Sequence, residues 1–357
     1  MTQILLMDLI LVLIAILLAI ADYLLVSYGE CKITINRENI LKTQGGNNLL
    51  SYFTEKKIFI PSACGGKATC GHCKVKILSG AGSILPTEEV FVSPEERRQG
   101  IRLACQVKIK QDIELFIPEY LLKTEEFEAE VIDTKEVTYD IKYLRLHILK
   151  SKTIEFKPGQ YIQLKIPGTD EYRAYSIASS PNQRDEVELI IRLVPGGLCS
   201  TYVHKVLVKN DNVIFTGPFG DFYLHEDSPR DIVAIGGGCG MAPIRSILYY
   251  LAHKGMPRKL LYFFGARAKR DLFFTEELRK LESEFSNFTY VPALSEPKHT
   301  DKWEGEVGLI TQVAERYIKG GNEKEAYLCG PPPMIDAALR LLPRKGINPE
   351  NIYYDKF

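Results

Sequence analysis

The chain has 357 residues, 45% hydrophobic and 25% charged, which suffices for two or three domains with filled cores. Lys plus Arg and Asp plus Glu number 45 each, so no bulk field draws in nucleic acid, which is not an expected partner. Eight cysteines are far too few for a disulfide scaffold.

The first element is the apolar run Ile4–Val26, 23 residues whose only charges are Asp8 and Asp22. About 20 apolar residues span a bilayer as a helix. Ala19-Ile20-Ala21 imitates a signal-peptide cleavage site, but no Lys or Arg precedes the run, as a signal peptide requires. Residues 1–28 are therefore expected to be a single-pass transmembrane anchor. The first basic residues, Lys32, Arg37 and Lys42, follow it. By the positive-inside rule the soluble domains then lie on the cytoplasmic side of the inner (cytoplasmic) membrane.

Residues 29–122 alternate β-rich runs with glycine turns. Ser93-Pro94-Glu95-Glu96 reads as an N-cap, a proline at N1 and a capping-box glutamate, predicting a short helix that stops at Gly100. Within this region "CGGKATCGHC" and a later cysteine give Cys64, Cys70, Cys73 and Cys105, spaced C-x5-C-x2-C-x31-C. A [2Fe–2S] site of the plant type has C-x4-C-x2-C and a distant fourth cysteine, one residue different in the first gap. Glycines suit such a loop, because backbone wrapped closely around an anionic cluster needs positive φ. A zinc clip is the alternative, although zinc ribbons use two C-x2-C knuckles and one is present. His72, between two ligands, reads as a bystander. Cys31, Cys199, Cys239 and Cys329 lie far apart and read as small buried hydrophobes. The segment resembles a β-grasp ferredoxin of the plant and vertebrate [2Fe–2S] superfamily, which implies that the four clustered cysteines hold the cluster.

Residues 123–226 carry many short strands between glycine and proline turns, the pattern of an antiparallel barrel. In "RAYSIASSP" an arginine offers a charge-assisted bond to phosphate, and an aromatic offers a stacking face. "VPGGLCSTYV" adds backbone amides and hydroxyls suited to a phosphate. Together they resemble the flavin-binding signature of the ferredoxin–NADP+ reductase superfamily. The resemblance implies FAD, with Arg173 on the flavin phosphate, Tyr175 against the isoalloxazine and Ser176 near its N5. Gly196, Gly197, Ser200 and Thr201 would serve the pyrophosphate.

From residue 227 to 357 strands alternate with helices, predicting a parallel sheet. "TEELRKLESEF" reads as a helix capped by Thr275. "IGGGCGMAPIRSI" is a strand running through glycines into a helix, which aims amide groups and a dipole at a phosphate. The strict G-x-G-x-x-G fingerprint is not met, because Met241 stands where the third glycine would fall. The loop is instead similar to the GGxGxxP nicotinamide loop of the same superfamily, matched by Gly237, Gly238, Gly240 and Pro243. "LCGPPPMI" is similar to its CGPPxM turn, which implies Cys329 beside the nicotinamide C4 and Gly330 and Pro331 shaping the slot. The resemblance also implies an aromatic near the C-terminus over the flavin, Phe357 first and Tyr354 second. Lys269 and Arg270 stand where a 2′-phosphate could be met but read as a solvated pair, and NADH is expected from the resemblance.

The expected fold is thus a transmembrane helix, a β-grasp [2Fe–2S] ferredoxin, an antiparallel β-barrel flavin domain and an α/β parallel-sheet nicotinamide domain. In that order the chain resembles the family of F subunits of the Na+-translocating NADH:quinone reductases. This implies an NADH-oxidising flavoprotein that passes electrons through FAD and [2Fe–2S] to a membrane-associated acceptor, in the company of membrane redox subunits, with sodium transport and ubiquinone as the setting. Ser176 and Cys329 are the expected catalytic positions, and no acid–base dyad is required. One departure is the direct join "GQYIQLKIPGTDEYRAYS", where that family carries a long insertion. The alternative is a tethered NAD(P)H reductase for an oxygenase, a corrinoid protein or another redox complex; a redox sensor with vestigial sites is the non-enzyme reading.

Overall fold

The computed structural model describes residues 7–17 and 28–356. Residues 7–17 are helical, with Leu9, Leu11 and Leu17 more than half exposed. Among the described residues no helix is long and apolar enough to cross a membrane. The rest of the expected anchor, and Phe357, lie outside the described residues. Beyond the anchor region the chain forms two compact units that divide between Lys123 and Thr124.

The first unit is a five-stranded sheet ordered β2-β1-β5-β3-β4. Its strands are β1 (Glu30–Ile35), β2 (Asn39–Gln44), β3 (Lys74–Ser79), β4 (Ile101–Leu103) and β5 (Ile113–Phe116). β1 and β5 run parallel and the other pairs antiparallel. One helix, Leu49–Glu55, buries Leu49, Tyr52 and Phe53. The capping box forms as expected: Ser93 N–H donates to Glu96 Oε2 at 2.8 Å and Glu96 N–H to Ser93 Oγ at 3.2 Å. The helix Pro94–Arg98 then stops at Gly100, which has φ +80° and runs so close to β3 that a Cβ would stand 2.4 Å from the Ile77 carbonyl oxygen.

The second unit opens with six antiparallel strands: β6 (Glu125–Glu136), β7 (Ile141–Ile148), β8 (Tyr161–Lys165), β9 (Tyr172–Ser176), β10 (Glu186–Arg192) and β11 (Asn212–Phe219). Their order is β10-β7-β6-β11-β8-β9, and a bridge between Ile177 and Leu189 joins the two edges into a barrel. Alternate side chains point inward, so Leu144, Leu146, Ile162, Leu164, Leu189 and Phe215 fill the interior. β8 joins β9 directly through residues 166–171.

A parallel six-stranded sheet follows: β12 (Asp231–Gly237), β13 (Leu260–Ala266), β14 (Phe288–Leu294), β15 (Glu306–Val307), β16 (Lys324–Gly330) and β17 (Ile352–Lys356). Both faces are covered, which is why β12 is apolar after its first residue. Ile232 and Ala234 join the core on one side, Val233 and Ile235 the core on the other. The order β15-β14-β13-β12-β16-β17 reverses direction between β12 and β16, and ligands of open parallel sheets bind at the carboxyl ends of such a pair. One local expectation is corrected. The helix Thr275–Glu284 is capped by Phe274 in a left-handed conformation, and Thr275 is its first helical residue. Phe274 is drawn inward by edge contacts with Tyr143 and Phe273, so the turn begins one residue early.

Candidate functional site

In the first unit the four cysteines are free and stand as two pairs. Cys70 Sγ lies 3.4 Å from Cys64 Sγ, and Cys73 hydrogen-bonds Cys105. The loop reaches this arrangement through left-handed backbone at Gly65, Gly66, Ala68 and Gly71. At Gly71 a Cβ would strike the Phe91 ring at 2.7 Å, so a side chain is excluded as well. The Cys64 thiol is held well below its ordinary pKa by the hydrogen bond from Cys70, against burial, with the Thr69 and Lys67 amides helping. Cys105 is lowered in the same way by Cys73, with the Gln106 side chain and the Ala68 amide contributing. The same bonds, with burial, push Cys70 and Cys73 up. Among the described residues no three ligating side chains close on one ion position. Two pairs of sulfurs suit two irons with two thiolates each, and fit a single tetrahedral zinc less well. His72 is exposed and belongs to neither pair.

The Cys105 segment is held by a feature that sequence reading missed. Glu88, fully buried, accepts from Arg102 Nη2 at 2.6 Å and from Arg102 Nε at 2.9 Å, as well as from the Leu103 amide at 3.0 Å. Burial alone would raise its pKa, but Arg102 and the Leu85 and Leu103 amides outweigh it and hold the carboxyl below its usual value.

In the second unit the flavin motif occupies β9, half-buried from Arg173 to Ser176. Arg173 Nη2 pairs with Glu171 Oε2 at 2.6 Å and Nη1 donates to the Tyr172 carbonyl at 2.8 Å, so the guanidinium is held by the two residues before it. Tyr175 is raised in pKa by burial first and then by Cys199, to whose sulfur it hydrogen-bonds. Cys199 sits in the first turn of the helix Leu198–Lys205, so the strand and the glycine segment adjoin. Gly196 adopts φ +71° with open space where a Cβ would stand, and Gly197 caps the helix. The Ser200 hydroxyl is turned into its own loop: it accepts from the Val194 amide at 3.1 Å and donates to the Gly197 carbonyl at 3.3 Å. Thr201 is exposed.

The third motif leaves β12 through Gly237 and Gly238 and enters the helix Met241–His253, with Pro243 in its first turn. Gly238 has φ +56° and lies beneath the Arg192 guanidinium, 2.8 Å from where a Cβ would be. Arg192, at the end of β10, pairs with Asp140 at 3.1 Å. A cation over a glycine loop could meet a phosphate, and its sequence signal was its place just before "VPGG". Gly240 has a different reason to lack a side chain: a Cβ there would stand 1.9 Å from the Cys329 carbonyl oxygen. Across the switch point Gly236 is in register with Cys329, and Gly330 is left-handed at φ +146° before Pro331 opens the next helix. Cys329 has no exposed surface. Burial, then Asp355 and Cys239, pushes its thiol up, and burial pushes Cys239 up to about 12. Burial thus disfavours the thiolate at both. Cys239 stands between Gly238, which lies under Arg192 of the barrel, and Gly240, which backs on the Cys329 carbonyl, so the glycine loop joins the flavin barrel to the Cys329 turn.

Sequence reading also missed the brace behind them. Arg245, buried in the helix after the glycine loop, donates from Nη1 to the Ala178 carbonyl at 3.0 Å and to Glu188, and from Nε to Glu277 at 3.1 Å. Beside it Ser246 Oγ donates to the Ser179 carbonyl at 2.7 Å. These bonds tie the nicotinamide helix to the segment that follows the flavin strand. Lys269 is engaged with the Asp301 carbonyl at 3.1 Å, and Arg270 lies over the Tyr139 ring at 4.9 Å. Tyr354 is on β17 and about half exposed.

Three family models match the chain: a 2Fe-2S iron-sulfur cluster binding domain over residues 33–110, an oxidoreductase FAD-binding domain over 128–223 and an oxidoreductase NAD-binding domain over 234–340. The chain is therefore an oxidoreductase with domains for all three cofactors. Among solved structures it is similar to the Amycolatopsis cytochrome P450 reductase GcoB, with a TM-score of 0.74 and 28% identity over 92% of this chain and 98% of that one. The ferredoxin reductase of carbazole 1,9a-dioxygenase gives 0.71 and 26% over the same shares. Among curated proteins, the F subunit of the Na(+)-translocating NADH-quinone reductase of Mannheimia succiniciproducens is 35% identical over 96% of this chain and 95% of its own length. Its Neisseria meningitidis counterpart is 36% identical over the same shares, aligned across 388 positions, more than this chain has residues, so the relatives carry insertions. With over a third of positions identical along nearly its whole length, the chain belongs to the family of Na(+)-translocating NADH-quinone reductase F subunits.

Proposed function

We propose that this chain is the NADH-input component of a membrane redox complex, anchored by residues 1–28, with ferredoxin (29–122), flavin (123–226) and nicotinamide (227–357) domains on the cytoplasmic side. FAD bound there would supply the conversion between the electron pair of NADH and the single electrons a [2Fe–2S] cluster accepts, which is the cofactors' own chemistry. The protein's part is position. Cys64, Cys70, Cys73 and Cys105 would hold the cluster, one thiol pair to each iron. Arg173 binds the flavin phosphate, Tyr175 packs on the ring system, and the Ser176 hydroxyl faces the flavin's reacting edge. Gly196, Gly197 and the first amides of Leu198–Lys205 carry the pyrophosphate, with Thr201 at hand and Ser200 shaping the loop. Gly237, Gly238, Gly240 and Pro243 form the nicotinamide dinucleotide's phosphate cradle, under Arg192. Cys329, Gly330 and Pro331 form the wall of the nicotinamide slot, and Phe357 or Tyr354 covers the flavin.

The single observation that carries this reading is the packing of the glycine loop between the flavin barrel and the Cys329 turn at the switch between β12 and β16: Gly238 lies under Arg192, Gly240 backs on the Cys329 carbonyl, and Gly236 is in register with Cys329. Engagement of Lys269 and Arg270 by neighbours favours NADH over NADPH. Membrane-bound partners are inferred from the curated relatives, which are named as subunits of a sodium-translocating NADH-quinone reductase. Anaerobic titration of the full chain with NADH tests the electron route. The flavin absorbance bleaches and a reduced-cluster EPR signal grows in; a flavin that NADH leaves oxidised refutes it.

A further inference from the structure

We propose that the ferredoxin unit carries a docking groove for an acidic, membrane-bound electron-accepting protein, with Cys105 in its wall and Lys108 and Lys110 on its rim. The proposal rests on the reading that electrons leave this chain through the cluster. The groove encloses about 580 Å³ beside the 80–83 turn and is separate from the cysteine loop. Of its three cations, Arg102 is neutralised by Glu88 at 2.6 Å. Lys108 and Lys110 are exposed, and among the described residues neither forms an ion pair. No Asp or Glu lines the groove. Its charge is therefore net positive and unanswered, an arrangement that steers an acidic surface into place.

Two further observations aim the groove. Gln106, in its wall, places Nε2 3.8 Å from Cys105 Sγ, so a docked partner stands one side chain from a cluster ligand. The Lys108 and Lys110 ammonium groups lie 5.5 and 5.9 Å from the Tyr28 ring centroid. Such cation–π contacts hold them together on the side where the chain arrives from the apolar run that ends at Val26. The two lysines thus mark the point where the described chain enters the ferredoxin unit at Tyr28, two residues after the apolar run, which is why the partner is taken to be membrane-bound.

The test uses the full chain in detergent and cytochrome b5, an acidic haem protein, as the probe. One electron passes from the reduced cluster to ferric haem, giving ferrous haem, with no proton or bond transferred. Binding is read by calorimetry at low and high salt with both proteins oxidised, and haem reduction by stopped flow. In K108E/K110E the affinity falls by roughly tenfold or more at low salt, K108Q/K110Q falls less, and the salt dependence flattens in that order. Flavin bleaching by NADH is the same in all three proteins; its failure in the parent chain counts against the proposed function and leaves the groove to be judged by binding alone. Unchanged affinity and salt slope in K108E/K110E overturn the groove. So does a loss seen only with phosphatidylglycerol vesicles and not with cytochrome b5, which would assign the lysines to lipid.

Discussion

Replacing Gly240 by alanine isolates how closely the nicotinamide loop and the Cys329 strand must approach. The new Cβ would lie 1.9 Å from the Cys329 carbonyl oxygen, 2.4 Å from its carbon and 2.9 Å from the Gly330 nitrogen. Real contacts of this kind essentially never fall under 3.0 Å, so the backbones must part by more than an ångström. Neither side is a flexible side chain. The Cys329 backbone is fixed by its register with Gly236 on one side and Asp355 on the other. Overpacking of this kind costs about 1–3 kcal/mol, which for a unit of this size lowers Tm by about 2–4 °C per kcal/mol. The kinetic cost is larger, because an ångström of misplacement between reacting groups lowers rate about a hundredfold. Stopped-flow flavin reduction by NADH reads this directly, while FAD content stays at the parent level because the flavin strand is untouched. Gly320→Ala is the internal control: its Cβ meets nothing, so only the left-handed backbone is strained, by about 1 kcal/mol. A G240A protein that reduces its flavin at the parent rate would refute the steric argument.

Four more outcomes follow from the same geometry. Glu88→Gln strands the Arg102 charge in the ferredoxin unit and costs about 3–5 kcal/mol, read by denaturant unfolding followed at the cluster absorbance. Because Glu88 titrates below its usual value when folded, its stabilisation is complete above the unfolded pKa near 4.5 and is lost as pH falls through the lower folded value. Tm of the parent therefore drops on acidification below about pH 4.5, and that part of the drop is missing in E88Q. Cys64→Ser removes the iron–sulfur absorbance and EPR signal and leaves NADH-dependent flavin bleaching in place. Arg173→Ala deletes a charge-assisted bond of about 1.5–3 kcal/mol, so FAD affinity falls roughly tenfold or more in a fluorescence titration. Arg245→Lys keeps the charge but not the fork that reaches Ala178, Glu188 and Glu277 together, so flavin reduction slows while NADH still binds.

What could be read without coordinates was whatever one short segment encodes. The spacing of Cys64, Cys70 and Cys73, the strand-borne Arg173-x-Tyr175-Ser176 and the Ser93–Glu96 box each keep their chemistry within a few residues, so their types and order sufficed to name the cluster and flavin domains and to place the short helix. The short strands between glycine and proline turns gave the barrel, and the strands alternating with helices gave the parallel sheet, for the same reason, since turn chemistry and element order are written along the chain. Tertiary structure decided the rest. Glu88 and Arg102 are 14 residues apart, Glu188 and Arg245 are 57, and nothing local marks either pair. Gly240 looked like a phosphate-binding glycine, and its contact with the distant Cys329 is created only when β12 and β16 become neighbours. The division of the thiols into two pairs belongs to the same class. Short-range periodicity fixes how a segment folds, but a buried charge or a close backbone approach is set by whichever distant segment packs against it, and that is a property of the assembled chain.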